Sequence, residues 1–144
     1  MKDKIINYLM KSMRIEVAVA GIVAKKNKIL LTKRSKILAD GGKWCLPGGH
    51  VNKWEKAENA VKRELKEETG FDTKKAELLF VHEEFVRRLN LHAIVFVFLI
   101  ETKGKEKVNW EVSKMEWFKK DEIKKLNLAF THKNILNKFR RIKK

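Results

Sequence analysis

The sequence predicts an α/β fold, a mixed β-sheet with helices packed on both faces, and three features carry that expectation. Strand-like apolar runs and stretches of helical periodicity follow one another irregularly, which favours a mixed sheet over an all-parallel one. The run LHAIVFVFLIE (91–101) is apolar on both parities, as a strand covered on both faces is. Turn-forming residues are concentrated: the single proline, Pro47, and five of the seven glycines fall between Gly41 and Gly70. With 144 residues and no repeat, linker or shift in composition, residues 1–144 read as one domain, with 1–13 as an N-terminal amphipathic extension.

Taken in order, Ile5, Ile6, Leu9, Met10 and Met13 recur at helical spacing, so a short amphipathic helix is expected as a cap over the core. IEVAVAGIVA (15–24) and KILLTKR (28–34) read as strands joined by a polar Lys25-Lys26-Asn27 turn. A glycine-punctuated loop leads to strand-like Trp44-Cys45-Leu46 and then to Pro47-Gly48-Gly49. A helix over about 56–69 ends on Gly70, the residue type that takes a left-handed C-cap without steric cost. Residues 76–86 and 91–101 read as strands, the second one central. A Lys-rich turn around Gly104 precedes a strand at Lys114–Phe118. Thr131 is expected to cap a last helix that turns Ile135, Leu136, Phe139 and Ile142 inward.

Composition excludes several classes. The one cysteine, Cys45, makes no internal disulfide and fits a reducing compartment. No apolar run approaches the roughly 20 residues that span a bilayer, and the N-terminus lacks a signal-peptide pattern, so a cytoplasmic location without a membrane partner is expected. His50, His82, His92 and His132 do not form a zinc spacing. The net charge is +16, from 34 Lys+Arg against 18 Asp+Glu. Twenty-seven of the basic residues are Lys and seven are Arg. Because Arg supplies the planar fork that grips phosphate and guanine, this balance favours general attraction to polyanions over sequence-specific reading of nucleic acid.

The stretch GHVNKWEKAENAVKRELKEETGF (49–71) carries the chemistry. On a helical wheel centred on Glu64, Glu67 and Glu68 flank it, and Ala60 and Val61 fall on the same side one turn earlier, with Lys62 and Lys66 opposite. Three carboxylates therefore continue the apolar stripe that faces the protein body. Like charges at Glu64 and Glu68 cost about 0.2–0.5 kcal/mol even on an exposed helix, and burial raises that cost. A hard divalent cation would relieve the conflict, and so would a solvated patch paired with Lys or Arg from elsewhere.

The spacing of the whole segment goes further. Gly49, five residues, Glu55, seven residues, then Arg63-Glu64-Leu65-Lys66-Glu67-Glu68-Thr69-Gly70-Phe71 is similar to the Nudix box at every fixed position, and the chain resembles a Nudix hydrolase. The strand pair ending in Lys33-Arg34, the Trp44-x-Leu-Pro-Gly-Gly lead-in and Glu116-Trp117-Phe118 also sit where that family has similar elements. The resemblance implies a Nudix-type α/β/α sandwich around a mixed β-sheet. It implies hydrolysis of a nucleoside diphosphate linked to another moiety, with Mg²⁺ or Mn²⁺ as cofactor and water attacking phosphorus. By position it implies Glu64, Glu67 and Glu68 as metal ligands, joined by the Gly48 carbonyl and a later carboxylate, Glu111 first and Glu116 second. Glu64 is implied as general base, with Glu67 and Arg63 completing the catalytic group. Glu55 and Arg63 would orient the catalytic carboxylate and tie the loop to the helix.

Two box positions depart from common family usage: Trp54 stands where glycine is frequent and is expected to pack over the loop, with contact to a substrate base as the alternative, and Asn52 replaces a frequent acid. Arg34 and Lys33 are candidates to clamp phosphate; Trp44, Phe85 and Phe130 are candidates to stack on a base, each weighed against an ordinary core role. The Leu-Ala-Phe-Thr-His run (128–132) resembles a segment of some ADP-ribose-hydrolysing relatives. Selectivity is expected in loops at about 35–43, 82–90 and 103–131. The expected partner is a small-molecule nucleotide, either ADP-ribose-like or an (oxidised) nucleoside triphosphate. The alternatives are the 5′ end of RNA, favoured by the +16 charge, and a non-catalytic nucleotide- or RNA-binding module. A homodimer through the N-terminal segment is left open.

Overall fold

A computed structural model of the chain describes residues 1–107 and 111–143. Among the described residues four α-helices, α1 (Lys2–Ser12), α2 (Ala57–Thr69), α3 (Lys120–Ile123) and α4 (His132–Ile142), accompany seven strands. The strands are β1 (Glu16–Lys25), β2 (Lys28–Arg34), β3 (Trp44–Cys45), β4 (Gly48–His50), β5 (Asp72–Val86), β6 (Leu91–Lys103) and β7 (Val112–Lys119). They pair in the order β3-β2-β1-β6-β5, with β4 also on β1 and β7 also on β2. β1 runs parallel to β6 and antiparallel to β2 and β4, so the sheet is mixed. The chain enters β2 through Lys26 and Asn27 at φ 52 and 63, the paired positive φ that a tight hairpin matched to strand twist requires.

The two faces of the sheet carry separate cores. On one, Val61 and Leu65 of α2 pack on Val19, Val23, Phe98 and Ile100. On the other, Ile135, Leu136 and Phe139 of α4 pack on Ile22, Leu31 and Val97. This is the expected α/β/α sandwich, and β6, read from sequence as apolar on both parities, contributes to both cores. Gly70 closes α2 at φ 81 as a left-handed cap.

Three expectations are corrected. Helix α1 does not cap the core: Ile5 is 55%, Leu9 50% and Met13 81% exposed. Ile142, expected inward on α4, is exposed as the last residue of the helix. Strand β5 begins four residues earlier than expected and carries an extra residue at Leu79, between the pairs Leu78↔Phe98 and Phe80↔Val97. That irregularity reverses the alternation. Ala76 faces the α2 core while Phe80, at the same parity, faces the α4 core. Among the described residues, no helix is long and apolar enough to cross a membrane.

Candidate active site

Helix α2 buries Ala60, Val61, Leu65 and Glu68 along one stripe, so the stripe that holds the helix to the sheet also delivers a carboxylate into the protein. The glycine pair of β4 makes room for it. A Cβ on Gly48 would run into the Val19 carbonyl of the neighbouring strand. A Cβ on Gly49 would lie 2.5 Å from the carboxyl carbon of Glu64, so only glycine lets that side chain lie against the strand. Gly48 N–H donates to Glu68 Oε2 at 3.4 Å.

Arg63 is the hub of this end. Its Nε and Nη2 donate to the two oxygens of Glu55 at 2.8 and 2.9 Å, and Nη2 also donates to the His50 carbonyl at 3.0 Å. Nη1 donates to Glu64 Oε1 at 2.8 Å. One planar guanidinium thus fixes the loop, strand β4 and the Glu64 carboxylate together, which a lysine's point charge does not do. The Arg63 hydrogen bonds hold the Glu55 carboxyl down at about 2, and Glu55 Oε1 accepts from the Asn52 N–H at 3.1 Å, closing the loop on itself.

Glu64 and Glu68 face each other. Burial, then its neighbours' negative charge, pushes Glu68 well above the ordinary carboxylate range, and Glu64 is the first of those neighbours. Burial also raises Glu64, partly offset by Arg63. Glu111 adds its charge to Glu68 and lines the same cleft. Glu67 does not join them: its side chain is 51% exposed, with Oε2 3.4 Å from Arg63 Nη1. Glu116 stands with Lys114, 3.6 Å away. Among the described residues no three His, Cys, Asp or Glu side chains already form a ligand set. The chemistry of the donors nevertheless fits a hard divalent cation, since Glu64, Glu68 and Glu111 offer oxygen only and their mutual repulsion is what such an ion relieves.

A cleft of about 580 Å³ runs from these carboxylates to the loops on the α4 side. Of the residues expected to touch substrate, Arg34 and Phe130 line it, with the Arg34 guanidinium 4.8 Å from the Phe130 ring centre. Trp44 and Lys33 are placed elsewhere: Trp44 packs edge-on against Phe118 at 4.8 Å, and Lys33 Nζ lies 5.9 Å from the Trp44 ring. Phe85 points outward against His92. Trp54 does not pack on its loop, being 93% exposed with Lys53 Nζ 5.2 Å from its ring. Burial pushes the Cys45 thiol up to about 11, which leaves it protonated and unsuited to nucleophilic attack.

The three loops expected to set selectivity meet at Asp40. Its carboxylate accepts from both Arg88 Nη atoms at 2.6 and 2.8 Å and from the Phe130 N–H at 2.8 Å. Residues 108–110 of the 103–131 segment lie outside the described residues. Behind Phe130, Thr131 donates to Glu84 through both N–H and hydroxyl, at 3.1 and 2.5 Å, and Leu46 N–H donates to His132 Nδ1 at 2.9 Å. The sequence singled out neither Asp40 nor Glu84, and it weighed His132 only as a zinc ligand and as part of the 128–132 run.

A model of the NUDIX domain family matches residues 13–139. The chain belongs to the Nudix family. An ADP-ribose pyrophosphatase from Methanocaldococcus jannaschii is 41% identical over 128 residues, covering 88% of this chain and 74% of that protein. An 8-oxo-dGTP diphosphatase from Buchnera aphidicola is 29% identical over 120 residues, covering 83% of this chain and 88% of that protein. Among solved structures, a MutT NUDIX hydrolase from Burkholderia pseudomallei superposes with a TM-score of 0.79 at 29% identity, covering 86% of this chain and 97% of that one. The protein is thus a Nudix hydrolase, of the enzyme class that cleaves a nucleoside diphosphate linked to another moiety with the help of a divalent metal ion.

Proposed function

We propose that this Nudix hydrolase, acting as a single unit over residues 1–144, cleaves ADP-ribose or a similar nucleoside diphosphate sugar with Mg²⁺ or Mn²⁺. The observation that carries the reading is one cleft of about 580 Å³ that runs from a buried carboxylate pair to Arg34, Phe130, Glu84 and His132, with room for a diphosphate and a nucleoside. The 41% identity to an ADP-ribose pyrophosphatase supports that substrate over others.

Glu64, Glu68, the Gly48 carbonyl and Glu111 would hold the metal, with Glu67 reaching it only after leaving Arg63. Once bound there, the ion supplies charge neutralisation at the phosphates and a lower pKa for water. Glu64 accepts the proton of the attacking water as its oxygen bonds phosphorus and the bridging P–O bond breaks. Arg63 keeps the Glu64 carboxylate oriented for that transfer, and Glu55 keeps Arg63 in place. Arg34, stacked on Phe130, lies in the cleft as a cation for phosphate.

The test is a substrate panel with product identification: ADP-ribose, 8-oxo-dGTP, unmodified triphosphates and a 5′-triphosphorylated RNA, with Mg²⁺ and with Mn²⁺. The expected result is AMP and ribose 5-phosphate from ADP-ribose at the highest kcat/KM. No turnover of any substrate with either metal overturns the reading. A second reading, the 5′ end of RNA, rests on the excess charge, since residues 101–144 hold 14 basic against 6 acidic residues. It requires RNA to be preferred, with steep salt dependence.

A further inference from the structure

We propose that Glu84 and His132 form a nucleoside-reading subsite, in which Glu84 Oε1 accepts from, and His132 Nε2–H donates to, an adjoining donor and acceptor on the nucleoside half of the substrate. The inference rests on the nucleotide reading above and adds the residues that select within it.

Both side chains are deeply buried, at 4% and 8% exposure, and both line the cleft that begins at Glu64 and Glu68. Each uses one polar atom on the protein and keeps the other for the cleft. Glu84 Oε2 takes both hydrogen bonds from Thr131, and among the described residues none reaches Oε1. His132 Nδ1 accepts from Leu46 N–H, so the ring proton sits on Nε2, and no described residue accepts it. Burial holds the His132 pKa down at about 4, which keeps the ring neutral, with one acceptor and one donor, at pH 7.

Among the described residues Thr73 Oγ1 is the buried side-chain polar atom without a partner, so Glu84 Oε1 and His132 Nε2 open on the cleft, where a ligand's adjoining donor and acceptor would replace the water they meet. The pair is also fixed in place. Thr131 has one hydroxyl proton, and it goes to Glu84. Its oxygen therefore accepts from His82 Nε2–H at 2.9 Å, which locks the Thr131 hydroxyl toward the carboxylate. The extra residue at Leu79 turns Glu84 to this face of the sheet.

Two parts of a nucleoside offer a donor beside an acceptor: the amino-substituted edge of adenine and the ribose diol. Binding is measured by calorimetry, with Mg²⁺ present, for AMP, for the purine riboside monophosphate that lacks the amino group, and for the 2′,3′-dideoxy monophosphate. In the wild type, one of the two analogues binds about tenfold or more weakly than AMP, and this names the part that is read. In Glu84→Gln that penalty shrinks toward none, and KM for ADP-ribose rises about tenfold while kcat stays within a few-fold. Equal binding of AMP and both analogues by the wild type overturns the proposal, even if the variant fails to fold. So does a folded Glu84→Gln that keeps the full penalty. Binding of nucleotides with this discrimination but without turnover sinks the hydrolase substrate reading and leaves the subsite standing. Turnover of ADP-ribose with KM and discrimination untouched by Glu84→Gln does the reverse.

Discussion

At the carboxylate end of the cleft most of the polar groups come from residues 48–68, on one strand, one loop and one helix, with Glu111 added from a later segment. The loop end is assembled from Asp40, Glu84, Arg88 and Phe130–His132, with bonds spanning up to 90 residues of sequence. The two ends also differ in how well their charges are met. Asp40 accepts from an arginine fork and a backbone N–H, and Arg88 holds its carboxyl well below the usual range. Glu64 and Glu68 are buried against each other, Arg63 bonds Glu64 and not Glu68, and both carboxyls are pushed up. The Asp40 junction is satisfied before substrate arrives; the Glu64–Glu68 pair is relieved by what binds it.

The largest expected effect divides the carboxylates themselves. Glu64→Gln lowers kcat by about 10²–10⁴ with little change in KM, as loss of a positioned general base does. Glu67→Gln, at a half-exposed carboxylate, costs less than about tenfold. Steady-state kinetics on ADP-ribose with saturating metal separates the two. Equal losses would mean that Glu67 turns inward during turnover and that the ends differ less than their geometry says.

This contrast also explains how much was readable beforehand. The carboxylate end is encoded by local spacing. A helical wheel places Glu64 and Glu68 on the buried stripe, though it places Glu67 there too, and the roles of Glu55 and Arg63 were implied by the resemblance to the Nudix box. Glu84 was not. Strict alternation from Ala76 puts it on the α2 face, and only the extra residue at Leu79 carries it to the cleft, a local irregularity without a sequence signature. Asp40 was likewise hidden, since its partners Arg88 and Phe130 lie 48 and 90 residues away. Trp54 misled for a related reason: its loop is closed by Glu55, Asn52 and Arg63, which leaves the indole nothing to pack on.

The next effect is on stability, and its sign differs between the ends. Glu68 has a raised folded-state pKa, so its contribution is present below its ordinary value of 4.5 and is lost as pH rises above it. His132 has a depressed one, so its contribution is complete above 6.5 and is lost as pH falls toward about 4. In metal-free protein at pH 7, Glu68→Gln therefore raises stability by roughly 1–3 kcal/mol while abolishing turnover. Its advantage fades on acidification to about pH 4.5, where the wild-type carboxyl is already neutral. His132→Gln flattens the acid side of the profile instead. Thermal melts of the three proteins from pH 4 to 8 check both signs, and two variants shifting the profile the same way would refute the contrast.

A smaller effect isolates the loop end. Asp40→Ala strands the Phe130 N–H and releases Arg88, costing about 1–3 kcal/mol. Since Phe130 and Arg34 line the cleft, KM rises. The Arg63 network lies beyond reach of the change, so kcat moves less than about threefold. A comparable loss of kcat would show that the two ends are mechanically coupled.

The smallest expected effect concerns the one residue of the carboxylate end that its surroundings do not explain. Trp54 holds φ 70, a left-handed conformation that costs a side-chain-bearing residue roughly 1–2 kcal/mol, and nothing covers its indole. Glycine adopts that φ freely but gives back about 0.5–1 kcal/mol through the greater freedom of the unfolded chain. Trp54→Gly is therefore expected to raise stability by no more than about 1 kcal/mol, which is about 2–4 °C in Tm for a chain of this size. Activity on a free nucleotide should be unchanged, because the loop is fixed by Glu55 and Arg63 and not by the indole. A drop in kcat/KM without a drop in Tm would instead make Trp54 a contact for substrate, and would extend the cleft's reach past the carboxylates to the exposed side of the loop.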